Sequence, residues 1–234
     1  EWLDHAQEVG LRHNFGDDWA EIEGPNRKKL TRNMMKDYIV NNPDKKAISS
    51  HTAIIALPKI KGVNLIPIFF YRHPIDRIRS AYDFERIQEE DTPGARVAKE
   101  GDFKHYLAWR LASPAMSQIA NFHTMRLKDF KSPVTNMQAE LFRPRALQAL
   151  RSLPFVGLVE RFDESMREFE KLIKPAFPEF EAISAKSNTL SDPSAAIDAK
   201  LKKFEQEIGR HTYHNLLQLN AADLELYYFV KNKL

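Results

Sequence analysis

The segment from Asn64 to Tyr71 constrains the fold more than any other part of the chain. Leu65, Ile66, Ile68, Phe69, Phe70 and Tyr71 nearly fill it with apolar side chains. A strand apolar on both faces predicts the middle of a covered, parallel sheet, where neither face meets water. The run ends on Arg72-His73-Pro74, and a proline at the first helical position starts a helix without losing a hydrogen bond. That helix is predicted to continue to about Glu89. A second apolar strand, Pro154 to Val159, feeds a helix over 163–173 in the same manner, and Ala47 to Ser50 is a shorter strand candidate. Strands that turn directly into helices predict an α/β fold with a mainly parallel sheet covered by helices. Ligands in such sheets collect at the carboxyl ends of strands. Here those ends are His51, Arg72 and Glu160-Arg161.

Helical spacing accounts for much of the rest. Arg27 to Val40 reads as a basic amphipathic helix with Leu30, Met34, Tyr38 and Ile39 as its buried stripe. Further helices are predicted over 102–112, 114–127 and 143–152, and over 195–233 with a break near Gly209. Gly16 to Pro25, Asp91 to Gly101 and Lys174 to Pro193 read as loops. A single domain over 1–234 is expected.

Composition enters by exclusion. Lys and Arg number 35 against 32 Asp and Glu, a net charge of +3, which is too balanced for nucleic-acid binding by bulk charge. No nucleic-acid partner is expected. No apolar run approaches the roughly 18 residues of a spanning helix, so no membrane insertion is expected either. The chain has no cysteine, which removes disulfides, thiolate zinc sites and cysteine nucleophiles and fits a reducing compartment. The cytoplasm is the expected location. The histidines show no metal-ligand spacing, and His211 and His214 read as a surface helix face, so no metal is expected.

The chemistry concentrates in Arg72 to Tyr82. A guanidinium stands at the end of a buried strand, just before a helix terminus with unpaired N–H groups and a positive dipole end. Ser80 offers a hydroxyl from the second turn of that helix. Arginine is a permanently charged planar fork that matches phosphate oxygens, and an arginine in such a place is costly without a partner. Arg77, Arg79 and Arg86 read as an ordinary solvated helix face.

This stretch resembles the 3′-phosphate-binding motif of sulfotransferases that use 3′-phosphoadenosine 5′-phosphosulfate (PAPS). The shared pattern is a strand, then Arg, any residue, Pro, five more residues, Ser, and an aromatic two positions later, here Tyr82. It is most similar to the carbohydrate sulfotransferases related to heparan sulfate 2-O-sulfotransferase and their bacterial relatives. In those, an acidic residue usually separates the Arg from the Pro; His73 takes that place here. Phe155 to Ser165 resembles the late strand-to-helix segment of the family, and Asn220 to Tyr228 its C-terminal helix. Asn121-Phe-His-Thr124 resembles another family segment, of the form Asn, two residues, Thr. The resemblance runs from about Lys46 to the end. It implies PAPS as donor, adenosine 3′,5′-bisphosphate (PAP) as product, a hydroxyl acceptor on a carbohydrate, and a 3′-phosphate held by Arg72 and Ser80. It also implies His51 as catalytic base, because Ser49-Ser50-His51 resembles the strand end where that family places a histidine. An imidazole titrates near neutrality, which suits the role.

One family feature has no counterpart. The Lys-containing loop that holds the 5′-phosphosulfate is not found, since none of the glycines at 10, 16, 24, 62, 94, 101, 157 and 209 stands with Lys and Ser/Thr in that order near a strand. Either the N-terminal strand and phosphate loop lie outside this chain, or the chain is a degenerate relative that binds a nucleotide phosphate or a partner without transfer. Glu1-Trp2-Leu3 resembles the interior of the helix that follows the loop, which favours the first. A nucleotide kinase shares the α/β plan but lacks support without a Walker-type loop. Lys186-Ser187-Asn188 reads as a solvated loop.

Overall fold

In the computed structural model the described residues are 10–27, 29–53, 56–112, 118–129, 141–183 and 197–233. Among them the elements in chain order are β1 (Trp19–Glu21), α1 (Arg32–Asn41), β2 (Ala47–Ser49), β3 (Phe70–Tyr71), α2 (Pro74–Ile87), α3 (Pro93–Glu100), α4 (Phe103–Ala112), α5 (Phe122–Leu127), α6 (Phe142–Ser152), β4 (Gly157–Leu158), α7 (Phe162–Ile173), α8 (Ile197–Ile208), α9 (Arg210–Leu219) and α10 (Ala221–Lys231). The fold is mixed α/β, with two-stranded sheets β1-β2 and β3-β4. The chain divides into two compact units, one holding the described residues of 3–70 and 124–185, the other those of 71–123 and 186–234.

In the first unit β1 and β2 run parallel, with Trp19 opposite Ala47 and Glu21 opposite Ser49. The Ile22 N–H extends the ladder to the Ser49 carbonyl at 3.0 Å. Thr31 caps α1 by accepting the Met34 N–H, which satisfies one of the unpaired donors of the first turn. Met35, Ile22 and Leu30 are buried together, with Met34, Tyr38, Ile39 and Ile48 packed against them. Met34, Tyr38 and Ile39 of the expected stripe pack against this core, but the helix begins at Arg32 rather than Arg27, so Leu30 precedes it, and its buried residue is Met35, outside that stripe. β1 lies inside 16–25, which reads as loop in the sequence.

The long apolar run is mostly not strand. Only Phe70 and Tyr71 of 64–71 carry strand pairing, because strand length is set by partners and not by apolarity, and Pro67 has no N–H to give a ladder. The Gly157 N–H donates to the Phe69 carbonyl at 2.8 Å. A Cβ on Gly157 would stand 2.6 Å from the Phe70 ring, so this close approach requires glycine. Phe70, Phe155, Phe162, Met166, Phe169, Ile173 and Phe180 form the core there. Truncating a fully buried Phe169 to Ala in such a cluster costs about 3–5 kcal/mol.

The second unit is helical. Ile75, Ile78 and Tyr82 of α2 are buried with Ala98, Phe103, Tyr106, Leu107, Ile119, Phe204, Ile208 and Leu216. α3 occupies most of the expected loop over 91–101. Thr92 caps it by accepting the Ala95 N–H, Pro93 takes its first position, and its buried residues are the small Gly94, Ala95 and Ala98. α5 starts at Phe122, shorter than the helix expected over 114–127, of which 113–117 lie outside the described residues. Gly209 separates α8 from α9 with φ of 85°, a left-handed geometry open to glycine at little cost.

Candidate functional site

Arg72 follows β3 directly and precedes α2, as the strand-then-proline pattern predicts. It is 8% exposed, one of the buried charges among the described residues. Its partner within the chain is a carboxylate. The Arg72 Nε donates to Asp76 Oδ2 at 2.5 Å, and Asp76 is 3% exposed. Asp76 lies one turn into α2, so the i, i+4 spacing brings it back over Arg72. A carboxylate in the first turn also faces the positive end of the helix dipole. This pair satisfies the Nε edge of the guanidinium and leaves its two Nη nitrogens as the groups that can grip an anion.

Ser80 lies on α2 eight positions after Arg72, half-buried. Its hydroxyl can donate to an oxyanion as well as accept. His73, between Arg72 and Pro74, is 2% exposed, with its ring edge-to-face on Tyr227 at 5.0 Å. Burial pushes the His73 imidazole down to about 4, against the opposing pull of the Asp76 carboxylate. The residue is therefore neutral at pH 7 and adds no charge to the site.

The other α2 arginines do not form a solvated face. Arg79 donates to Asp83 at 3.0 Å and to Glu207 of α8 at 2.5 Å, with its guanidinium over the Phe103 ring at 4.9 Å. Arg77 donates to the Gln118 carbonyl and lies 4.0 Å from the Phe122 ring centroid. Arg86, over the Tyr82 ring at 5.5 Å, is the exposed one. Two of the three are thus cross-links of the helical unit.

Two segments that stand a hundred residues apart close into one clasp. The Asn121 N–H donates to Asn220 Oδ1 at 3.0 Å, and the Asp223 N–H returns a bond to Asn121 Oδ1 at 3.2 Å. The His123 N–H donates to Asp223 Oδ2 at 2.9 Å, and the His123 ring lies on Tyr71 with centroids 4.2 Å apart. Asn121 has φ of 46°, a left-handed geometry that Asn tolerates better than most residues. Tyr71, next to Arg72, is raised well above its ordinary value by burial and then by Asp223. The clasp thus fixes the residue from which Arg72 extends.

His51 belongs to the other unit, at the carboxyl end of β2. Ser50 Oγ accepts the Thr52 and Ala53 N–H groups at 3.2 and 3.0 Å, and this turn presents His51 to solvent. Its Nε2 is 3.3 Å from Glu21 Oε1, with the two side chains 38% and 40% exposed. Glu21 ends β1, so the parallel register that puts Glu21 opposite Ser49 also brings the two strand ends together. The structure thus pairs His51 with a carboxylate, and it pairs Arg72 with Asp76 on the helix that carries Ser80. Asp76 is the site residue that the sequence reading missed; its signal was the i, i+4 spacing from Arg72. Lys186-Ser187-Asn188 lie outside the described residues. No group of three His, Cys, Asp or Glu able to hold a metal ion occurs among the described residues.

A strand-end arginine before a proline-started helix, with a serine two turns on, is an arrangement suited to an anion such as phosphate. The chain belongs to the Sulfotransferase family, whose sequence model matches residues 15–230, and its general activity is therefore sulfuryl transfer. An uncharacterized protein of Archaeoglobus fulgidus is 38% identical to it over 225 residues, spanning 93% of this chain and 87% of that protein. No solved structure matches. Among the described residues no helix is long and apolar enough to cross a membrane.

Proposed function

We propose that the chain moves a sulfuryl group from PAPS to a hydroxyl of a carbohydrate. PAPS supplies the sulfuryl group to such a reaction and leaves as PAP. Arg72 holds the 3′-phosphate through its Nη nitrogens, a charge-assisted contact of the stronger kind, and Ser80 adds a hydroxyl donor. The residues present fit that phosphate: the Nε edge of Arg72 is already occupied by Asp76, while its terminal edge and the Ser80 hydroxyl are suited to oxygen acceptors.

His51 takes the proton of the acceptor hydroxyl as that oxygen forms its bond to sulfur and the bond from sulfur to the 5′-phosphate breaks. The Glu21 carboxylate lies 3.3 Å from the His51 Nε2. The carboxylate then stabilises the imidazolium that forms. A carbohydrate acceptor is supported by the likeness of Arg72 to Tyr82 to the carbohydrate branch of the family.

The observation that carries this reading is the enclosed guanidinium of Arg72 between β3 and α2. Titration calorimetry with PAP tests it. Arg72→Ala is expected to weaken binding by about 2–4 kcal/mol, about 30- to 1,000-fold. Unchanged affinity removes the reading. PAP binding without transfer of labelled sulfate from PAPS to any carbohydrate hydroxyl would instead mark a binding-only relative.

A further inference from the structure

We infer that Asp76 is the positioning residue of the anion site, and that it makes Arg72 present its terminal Nη edge rather than its side edge to phosphate. The inference rests on the reading of Arg72 as a phosphate-binding group. A guanidinium offers two bidentate faces, one built from Nε and one Nη, the other from both Nη nitrogens. Asp76 Oδ2, 2.5 Å from Nε, occupies the first face. Arg72 and Asp76 are both buried, so neither is free to exchange this contact for water. Asp76 is also carried by the same rigid helix as Ser80. One element therefore sets both the direction of the guanidinium and the place of the hydroxyl.

Two physical effects of Asp76 oppose each other, and their signs separate the inference from a bland alternative. As a bare charge, a carboxylate beside Arg72 lowers the positive potential and weakens anion binding. Removing it should then tighten phosphate binding. As a positioning group it holds the fork in one orientation in advance, and its removal should weaken binding despite the gain in positive charge. The second effect dominates where the pair is enclosed and the bond is short.

The experiment compares the affinities of PAP and of adenosine 5′-monophosphate, which lacks the 3′-phosphate, for the wild-type chain, Arg72→Ala, Asp76→Ala and Asp76→Asn. The ratio of the two affinities isolates the 3′-phosphate, and a merely structural defect lowers both affinities together without moving it. Asp76→Ala is expected to lower the ratio about tenfold or more, and Asp76→Asn, which retains an acceptor for Nε, to stay within about threefold of wild type. Should Asp76→Ala not fold, Asp76→Glu keeps the charge and displaces the carboxylate by one methylene. Its ratio is expected to fall about threefold or more. A preference for PAP that Arg72→Ala abolishes but the Asp76 variants leave intact or increase overturns the inference alone. A wild-type chain that binds both nucleotides alike overturns the phosphate reading and the inference with it.

Discussion

The surroundings of Arg72 and those of His51 are built on opposite principles. Arg72 is enclosed, permanently charged and tied by Asp76, on a backbone that the clasp of Asn121, His123, Asn220 and Asp223 holds at Tyr71. His51 stands in the open at the end of a three-residue strand, titratable, beside an equally open Glu21. The contrast follows from the tasks proposed for them. A group that grips a phosphate gains from low dielectric and a fixed direction, because both strengthen a charge-assisted contact. A group that takes a proton at neutral pH must change its charge, which burial penalises. His73 supplies the control within the molecule: a buried histidine in the Arg72 unit, pushed down to about 4 by burial, is unfit to serve as a base at pH 7.

Removing the His51 ring should have the largest effect. If it takes the acceptor proton, His51→Ala is expected to lower turnover about 10²- to 10⁴-fold while PAP affinity stays near the wild-type value. The measurement is labelled-sulfate transfer under saturating donor by a protein that carries the 5′-phosphosulfate loop together with this chain, with affinity measured separately by calorimetry. A variant that turns over at wild-type rate would assign proton removal elsewhere. A parallel fall in PAP affinity would mean that the open site is not separable from phosphate binding.

Acid should sharpen the contrast from the enclosed side. The His73 imidazole has a folded value of about 4 against an ordinary unfolded value near 6.5. Above pH 6.5 it is neutral in both states and contributes no pH dependence. Between about 6.5 and 4 the unfolded chain binds a proton that the folded chain refuses, so stability falls with falling pH. The whole loss is on the order of 3 kcal/mol, complete below about pH 4. Urea melts at pH 7, 5.5 and 4 should show this slope, and His73→Gln, which cannot titrate, should flatten that part of it. Equal slopes in the two proteins would count against the buried, neutral histidine.

What could be read in advance divides along the same line. The Arg72 motif was legible because its logic is local: an apolar run, a charge, a proline and a helix-spaced serine are all within one stretch. Asp76 within it carried a local signal that was passed over, whereas the distant partners carried none. Glu207, which fixes Arg79, is 128 positions away, and no periodicity announces it. The halves of the Asn121–Asp223 clasp were each visible as family-like segments, but nothing in either says that they meet. α3 was lost to its composition, since its buried face is glycine and alanine rather than large apolar residues, although Thr92-Pro93 is a sound start signal. The strand over 65–71 was read too long because apolarity reports burial, whereas a strand also needs a paired neighbour. β1, three residues between polar turns, carries no periodic signal at all. Its cost was functional, because the end of β1 is where Glu21 meets His51.

Glu21 carries the smallest effect and the finest distinction. Its carboxylate is 40% exposed and 3.3 Å from a His51 ring that is itself 38% exposed. Solvent screens such a pair, and exposed ion pairs are worth about 0.2–1 kcal/mol. Its loss should therefore cost turnover only about 1.5- to 5-fold, far below the loss expected when the imidazole itself is removed. The effect should fall on kcat and leave the KM for PAPS unchanged if, as proposed, Glu21 acts on the imidazolium that forms during proton transfer and not on the phosphate. Glu21→Gln keeps a polar group of the same size opposite Nε2, which excludes a packing defect as the cause. A loss of about 100-fold would mean that the pair works in a much drier setting than its exposure indicates. A change in KM alone would move Glu21 from the proton-transfer end of the proposal to donor binding. A modest fall in kcat with a fixed KM is the outcome expected if the exposed His51 is the base and Glu21 only assists it.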